Sequence, residues 1–190
     1  VDPVSLEAKR DLVVAVAMHA KGRAALNGDD ESSASSFEAR AAAAIPWLVR
    51  ADEAFARCAA HAAALVAKVD NVGLLELDLC RAYAVLEDPT ALDDATRRLD
   101  RAAEAIAKRV APQYVDAALR KARSGGSRRR VVIPPDLIPV ARLKLLRGIL
   151  AAATTTQGGD SSARTELDDA RVLLAALTVD AAAVEPLLHL

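Results

Sequence analysis

In the second helix of each of three predicted helical pairs, an alanine is followed four residues on by a leucine and three further by a second alanine. The trios are Ala44/Leu48/Ala51, Ala95/Leu99/Ala102 and Ala163/Leu167/Ala170. Seven residues make about two turns of α-helix, so each trio lies on one face with a large side chain between two small ones. Such a face admits a second helix at close range. A small residue stands upstream of each trio, at Gly22, Cys80 and Gly148, and the last two stand at equal distances from their trios. Composition agrees: 44 of 190 residues are Ala, and aromatics make up 3% of a chain that is 53% hydrophobic. A core of Ala, Leu and Val suits helix packing and gives a sheet little to work with. The expected fold class is all-α, built of antiparallel helical hairpins.

The 25 Lys+Arg nearly balance 26 Asp+Glu, leaving a net charge of -1. That balance argues against a general nucleic-acid binder or a polybasic membrane binder, each of which carries an excess of one sign. No apolar run approaches the roughly 18–20 residues of a membrane span; the longest, Ala41–Val49 and Cys58–Ala67, are interrupted by Pro46 and His61. The opening lacks the charged-then-apolar pattern of a secretory leader. With Val1 in place of Met and an apolar pattern running to Leu190, the chain reads as a piece of a longer protein. Cys58 and Cys80 make neither a disulfide framework nor a metal spacing, which fits a reducing intracellular compartment.

Capping and breaking residues divide the chain into helices. Asp2-Pro3 is a capping pair, followed by an apolar stripe at Leu6, Val13, Val16, Ala20 and Ala24 that Asn27-Gly28 should end. Ser36 can cap a second helix from Phe37 to about Cys58, with Pro46 predicting a kink or a late start. Asp70 looks like the cap of a third helix, from Asn71 to about Leu86, carrying Leu74, Leu75, Leu79, Ala82 and Leu86. A fourth runs from about Thr90 to Val110, and a shorter one follows Pro112 with Tyr114, Ala118 and Leu119. Ser124–Pro135 holds two Gly, three consecutive Arg and two Pro, and reads as a mobile connector. Two more helices, about Asp136–Thr155 and Ser161–Leu177, flank Gln157-Gly158-Gly159-Asp160, and a last apolar piece begins at Asp180. The repeated trios mark divergent, tetratricopeptide-like hairpins, about three residues longer than the regular unit. An Ala-rich bundle without true repeats is the alternative.

No constellation for catalysis stands out. H-E-x-x-H, G-x-S-x-G and the phosphate-cradling loop are all missing, and Gly125-Gly126 leads only into Ser127 and arginines. His19, His61 and His189 stand far apart on Ala-rich segments and read as surface or tolerated core residues. Asp93-Asp94 and Asp168-Asp169 read as helix-end or surface electrostatics. The basic run Lys121, Arg123, Arg128, Arg129 and Arg130 has no interleaved aromatic on which a base stacks. It reads as a solvated linker, or as a contact for an acidic protein surface. Trp47 and Tyr83 are expected in the core against a neighbouring hairpin. Asp78 and Arg81, three apart on one helix, form either a local surface pair or a polar patch inside a concave binding face. No catalytic, metal or cofactor residue is assigned, and the chain reads as a binding module.

Three segments carry a resemblance to known proteins. Ala51-Asp52-Glu53-Ala54-Phe55 with Cys58 is the first. Val69-Asp70-Asn71 leads into Leu74-Leu75-Glu76-Leu77-Asp78-Leu79-Cys80-Arg81-Ala82-Tyr83 and on to Leu92-Asp93-Asp94-Ala95, with Leu99 and Ala102. The third is Arg142-Leu143-Lys144-Leu145-Leu146-Arg147-Gly148-Ile149, then Leu167, Ala170 and Arg171. Together they resemble the ultimate-buster family, adaptors that deliver the neddylation modifier and related ubiquitin-like proteins to the proteasome. The likeness runs from Arg50 to the C-terminus. Arg81 stands where that family has Trp, and Ala82 where it has Cys.

The resemblance implies a helical core over residues 1–178 and the start of a truncated ubiquitin-associated domain over 179–190. It implies a non-enzymatic adaptor core, cytoplasmic, nuclear or both, that links a ubiquitin-like modifier to proteasomal degradation. The proteasome would be reached through flanking domains, and no cofactor, nucleic acid or membrane is involved. Asp78, Arg81 and Tyr83 are the residues expected to meet the partner. The alternative is a tetratricopeptide-like structural scaffold that binds an unrelated peptide or self-associates. An enzyme would need residues contributed from elsewhere.

Overall fold

A computed structural model describes residues 5–28, 36–69, 73–86, 89–124, 135–154 and 161–176. Along them run α1 (Leu6–Asn27), α2 (Phe37–Val69), α3 (Leu74–Leu86), α4 (Pro89–Ala107), α5 (Pro112–Ser124), a 3-10 turn (Pro135–Leu137), α6 (Ile138–Thr154) and α7 (Ser161–Ala176). Among the described residues there is no strand. The chain divides into two compact units, Val1–Arg98 and Leu99–Leu190. The features expected at Asp2-Pro3, Asp70-Asn71, most of the 124–135 connector, Gln157–Asp160 and 179–190 lie outside the described residues.

In the first unit α1 and α2 form an antiparallel hairpin whose register three contacts define. Arg57 Nε donates to Asp11 Oδ1 at 3.2 Å, Leu48 seats on Gly22, and Arg40 donates to the Asn27 carbonyl at 3.3 Å. Gly28, at φ 79°, ends α1 and returns its N–H to the carbonyls of Ala24 and Ala25. That left-handed conformation suits glycine, as the Asn27-Gly28 pair predicts. At the other end the cap is Ser5, whose hydroxyl accepts from the Ala8 N–H at 3.1 Å.

The stripe that α1 presents to α2 differs from the one expected. Ala8, Ala15, Gly22 and Leu26 are buried, whereas Leu6, Val13 and Val16 are 84%, 68% and 44% exposed. The reason is the closeness of the two helices. A methyl group on Gly22 would lie 2.6 Å from Cδ2 of Leu48, well inside the roughly 3.5–4.0 Å at which carbon atoms pack. Only small residues fit this seam, so the valines turn outward.

Ser36 caps α2 as expected, accepting from the Ala39 N–H at 3.2 Å. The break in α2 is at Ala62 (φ -151°, ψ 50°) and not at Pro46. Pro46 and Ala42 lie on the exposed face, where water serves the carbonyl that proline leaves without a donor. Beyond Cys58, the last buried residue of α2, the Ala-rich stretch is half-buried or exposed, with Val66 packed against the core on the far side of the break. Leu75, Leu79 and Ala82 of α3 join the core formed by Ala44, Leu48, Ala51 and Phe55.

The second unit repeats the seam. A methyl group on Gly148 of α6 would lie 2.5 Å from Cγ of Leu167 on α7, and Ala163 and Ala170 are buried on either side. The third trio therefore works as the first does. Leu143, Leu146, Leu150 and Leu173 fill the space around it. No single helix among the described residues is long and apolar enough to cross a membrane.

The seam makes a prediction that urea unfolding followed by far-UV circular dichroism can check. Gly22→Val should lower the unfolding free energy by about 1–3 kcal/mol, and Val13→Thr should change it by about 0.5 kcal/mol or less. A core stripe centred on Val13 would reverse that order.

Candidate functional site

Asp78, Arg81 and Tyr83 all lie on α3, and the structure turns the first two inward. Asp78 is 1% exposed and Arg81 4%. Asp78 Oδ2 receives His19 Nε2 at 2.8 Å and Arg23 Nε at 2.9 Å. One turn further along both helices, Arg81 Nη1 donates to Asn27 Oδ1 at 2.9 Å. The pairings advance together, so α3 runs along α1 in the same direction. A carboxylate taken out of water is tolerated only with matched donors, and here α1 supplies them. A His19 Nε2 that donates to Asp78 has no lone pair for Arg23, so the 3.1 Å approach of Arg23 Nη2 to that atom is a contact within the cluster.

The expected local pair of Asp78 and Arg81 at the surface gives way to an interior clasp: both are buried and each bonds to α1. Sequence reasoning missed it because the partners lie 54 to 59 residues away. His19, read as incidental, is one of them.

Tyr83 stays half-buried, near a second cluster. Arg98 gathers a carboxylate from each of three helices: Asp94 of α4 at 2.8 Å, Asp52 of α2 at 2.9 Å and Glu76 of α3 at 3.1 Å. Burial disfavours the guanidinium charge, but hydrogen bonds to Asp94 and Asp52 outweigh it and hold the pKa above the usual arginine value. For Asp94, burial pushes the carboxyl up while Arg98 and Arg97 pull it further down, below its ordinary value. Burial raises the Tyr83 hydroxyl, with Arg98 opposing and Asp94 and Asp52 reinforcing. The Ala51–Phe55 motif therefore has a structural job. Ala51, Ala54 and Phe55 are core, and Asp52 ties α2 to Arg98.

The second unit has its own polar cluster. Asp168-Asp169 lies in the middle of α7 rather than at its end. Asp169 is buried and accepts from Lys144 Nζ at 2.8 Å and from Arg123, while Lys144 also reaches Glu166 at 2.9 Å. Arg123 and Arg171 share Asp168. One member of the basic run thus works inside the unit; Arg128–Arg130 lie outside the described residues. Trp47 is half-exposed rather than core, with Lys21 Nζ 3.7 Å from its ring centroid and Arg50 at 5.4 Å. Among the described residues no group of three His, Cys, Asp or Glu is placed to hold a metal ion. The chemistry these clusters perform is positional: they lock helices together by directional charge pairing.

No protein-family model matches the chain, and no solved structure matches it. It is 29% identical over 182 residues, 96% of its length, to NEDD8 ultimate buster 1 of Homo sapiens, with the same identity and coverage for the Mus musculus protein of that name. The chain spans about a quarter of the length of these curated relatives, 26% and 25%. The similarity takes in the N-terminal helices as well as the segments after Arg50.

Arg98→Met would leave Asp52, Glu76 and Asp94 facing one another. At neutral pH it should cost about 2–3 kcal/mol, less than breaking a fully buried pair because Asp52 keeps some contact with water. The pH dependence has a definite sign. A carboxyl held below its unfolded value contributes stability above the ordinary carboxylate range and loses it as pH falls through the lowered value. The parent should therefore weaken on acidification, whereas Arg98→Met should gain stability as its carboxylates protonate. Urea unfolding across the acid range should show the two curves converging.

Proposed function

We propose that this chain is the helical core of a non-enzymatic adaptor of the ultimate-buster family, engaging a ubiquitin-like modifier of the NEDD8 type. The observation that carries the reading is the run of similarity to NEDD8 ultimate buster 1 along 96% of the chain, through both units. In this proposal the hairpins stack in tetratricopeptide fashion and hold flanking domains at a set separation, so that captured modifier is presented to the proteasome. Residues 179–190 begin a ubiquitin-associated domain, and the protein works in the cytoplasm, the nucleus or both. Asp78 and Arg81 act as positioning residues that lock α3 against α1. Tyr83 is the member of the predicted trio offered to cargo.

A second reading, a scaffold for an unrelated peptide or for self-association, draws on the Gly22/Leu48 and Gly148/Leu167 seams, which need no modifier to explain them. Titration of labelled NEDD8-type modifier, folded and destabilised, separates the two. The adaptor reading expects saturable binding by this chain, or by a form extended past Leu190, and at least a threefold weakening by Tyr83→Ala in whichever form binds. Binding by neither form favours the scaffold.

A further inference from the structure

We propose that the outward face of α1 is a docking surface for an acidic amphipathic helix. Packing against α2 uses Ala8, Ala15 and Gly22, and the opposite side of the same helix carries Leu6 and Val13, both exposed; Val16 lies on the flank that His19 and Arg23 turn toward α3. Ala17 and Ala20 continue that face toward the C-terminal end and are also exposed. A helix apolar on two opposite faces is one built to be covered on both; α2 covers one, α3 lies along the flank through His19, Arg23 and Asn27, and among the described residues the line of Leu6, Val13 and Ala17 stays open.

Charge defines what covers the other. At about 100° per residue, Leu6, Val13 and Ala17 share one line along α1, with Lys9 on one side and Arg10 and Lys21 on the other, each within about 60° of it. All three cations are exposed. The acids of α1 are elsewhere: Asp11 turns toward α2 and binds Arg57, and Glu7 lies about 100° round from Leu6. The Lys21 ammonium rests over the Trp47 ring, which anchors one end of the basic rim. A stripe of apolar residues between basic edges complements a helix with an apolar face and carboxylate edges.

Shape favours a helix over an extended segment. The second half of the face is alanine, small enough for a neighbouring backbone to come close, as the alanines and Gly22 on the other side do for α2. A helix also satisfies its own backbone groups, whereas a single extended strand would find no edge to pair with. The inference does not rest on the modifier reading, since it concerns a different face from Tyr83 and a partner defined by charge alone.

The test is fluorescence anisotropy with two synthetic amphipathic helices, one with Leu on one face and Glu along its edges, the other with Lys in place of Glu. The Glu peptide should bind the 190-residue chain at least tenfold more tightly than the Lys peptide. Val13→Asp should weaken it tenfold or more, and the pair Lys9→Glu and Arg10→Glu should reverse the preference. Far-UV circular dichroism and urea midpoints should be unchanged, because these side chains are exposed. Equal binding of both peptides, or indifference to Val13→Asp, overturns the proposal. So does Val13-dependent binding to phosphatidylserine vesicles without peptide binding, which would assign the face to a membrane. Val13-dependent dimerisation in sedimentation would assign it to a second copy and overturn the proposal equally.

Discussion

The distance between paired helices governs this structure, and it is set where Leu48 seats on Gly22 and Leu167 on Gly148. At that separation a single added methyl group collides, so the seam accepts Gly and Ala and little else. Fully burying Leu48 in its seat contributes roughly 1.5–3 kcal/mol and the half-buried Leu167 less, and the flanking alanines bring the backbones close enough for many weak contacts. Much of the alanine content follows from this demand. So does the exposure of Val13 and Val16, since branched side chains cannot enter the seam.

Small-residue seams are poor at specifying which helix goes where, because alanine faces resemble one another. The buried charge clusters supply the direction that the alanines lack. Asp78 meets His19 and Arg23 only with α3 aligned along α1, and Arg98 meets its carboxylates only with α2, α3 and α4 in one arrangement. Lys144 and Asp169 do the same for α6 and α7. Such groups are at best modestly stabilising in total, yet removal of one partner leaves a stranded charge, so they penalise wrong registers.

What was legible in the sequence was local. Ser36, Asn27-Gly28 and the three trios act within a few residues of themselves, and the helices and the Gly–Leu seats follow from them. The α1 stripe misled because size and hydrophobicity normally mark a core face, whereas this core selects smallness. Pro46 misled because its cost depends on whether the freed carbonyl reaches water. Asp78 and Arg81 misled more deeply: their types and spacing suit a surface pair, and only the fold brings them to α1. The likeness to ultimate-buster proteins was visible in the same α3 segment, where Leu75, Leu77 and Leu79 are buried on the helix that carries those two charges.

That segment joins fold and function in this account. If α3 is an interior strut clamped by its charges, Asp78 and Arg81 hold the scaffold together rather than touch cargo, and Tyr83 alone of the predicted trio is left to meet it. A double-mutant cycle between Asp78 and Arg23, using alanine at each position and urea unfolding as the readout, tests this directly. The account predicts a coupling of about 1–3 kcal/mol, with the second substitution costing far less than the first. Additive effects, with a coupling near zero, would contradict the clasp and return Asp78 to the surface.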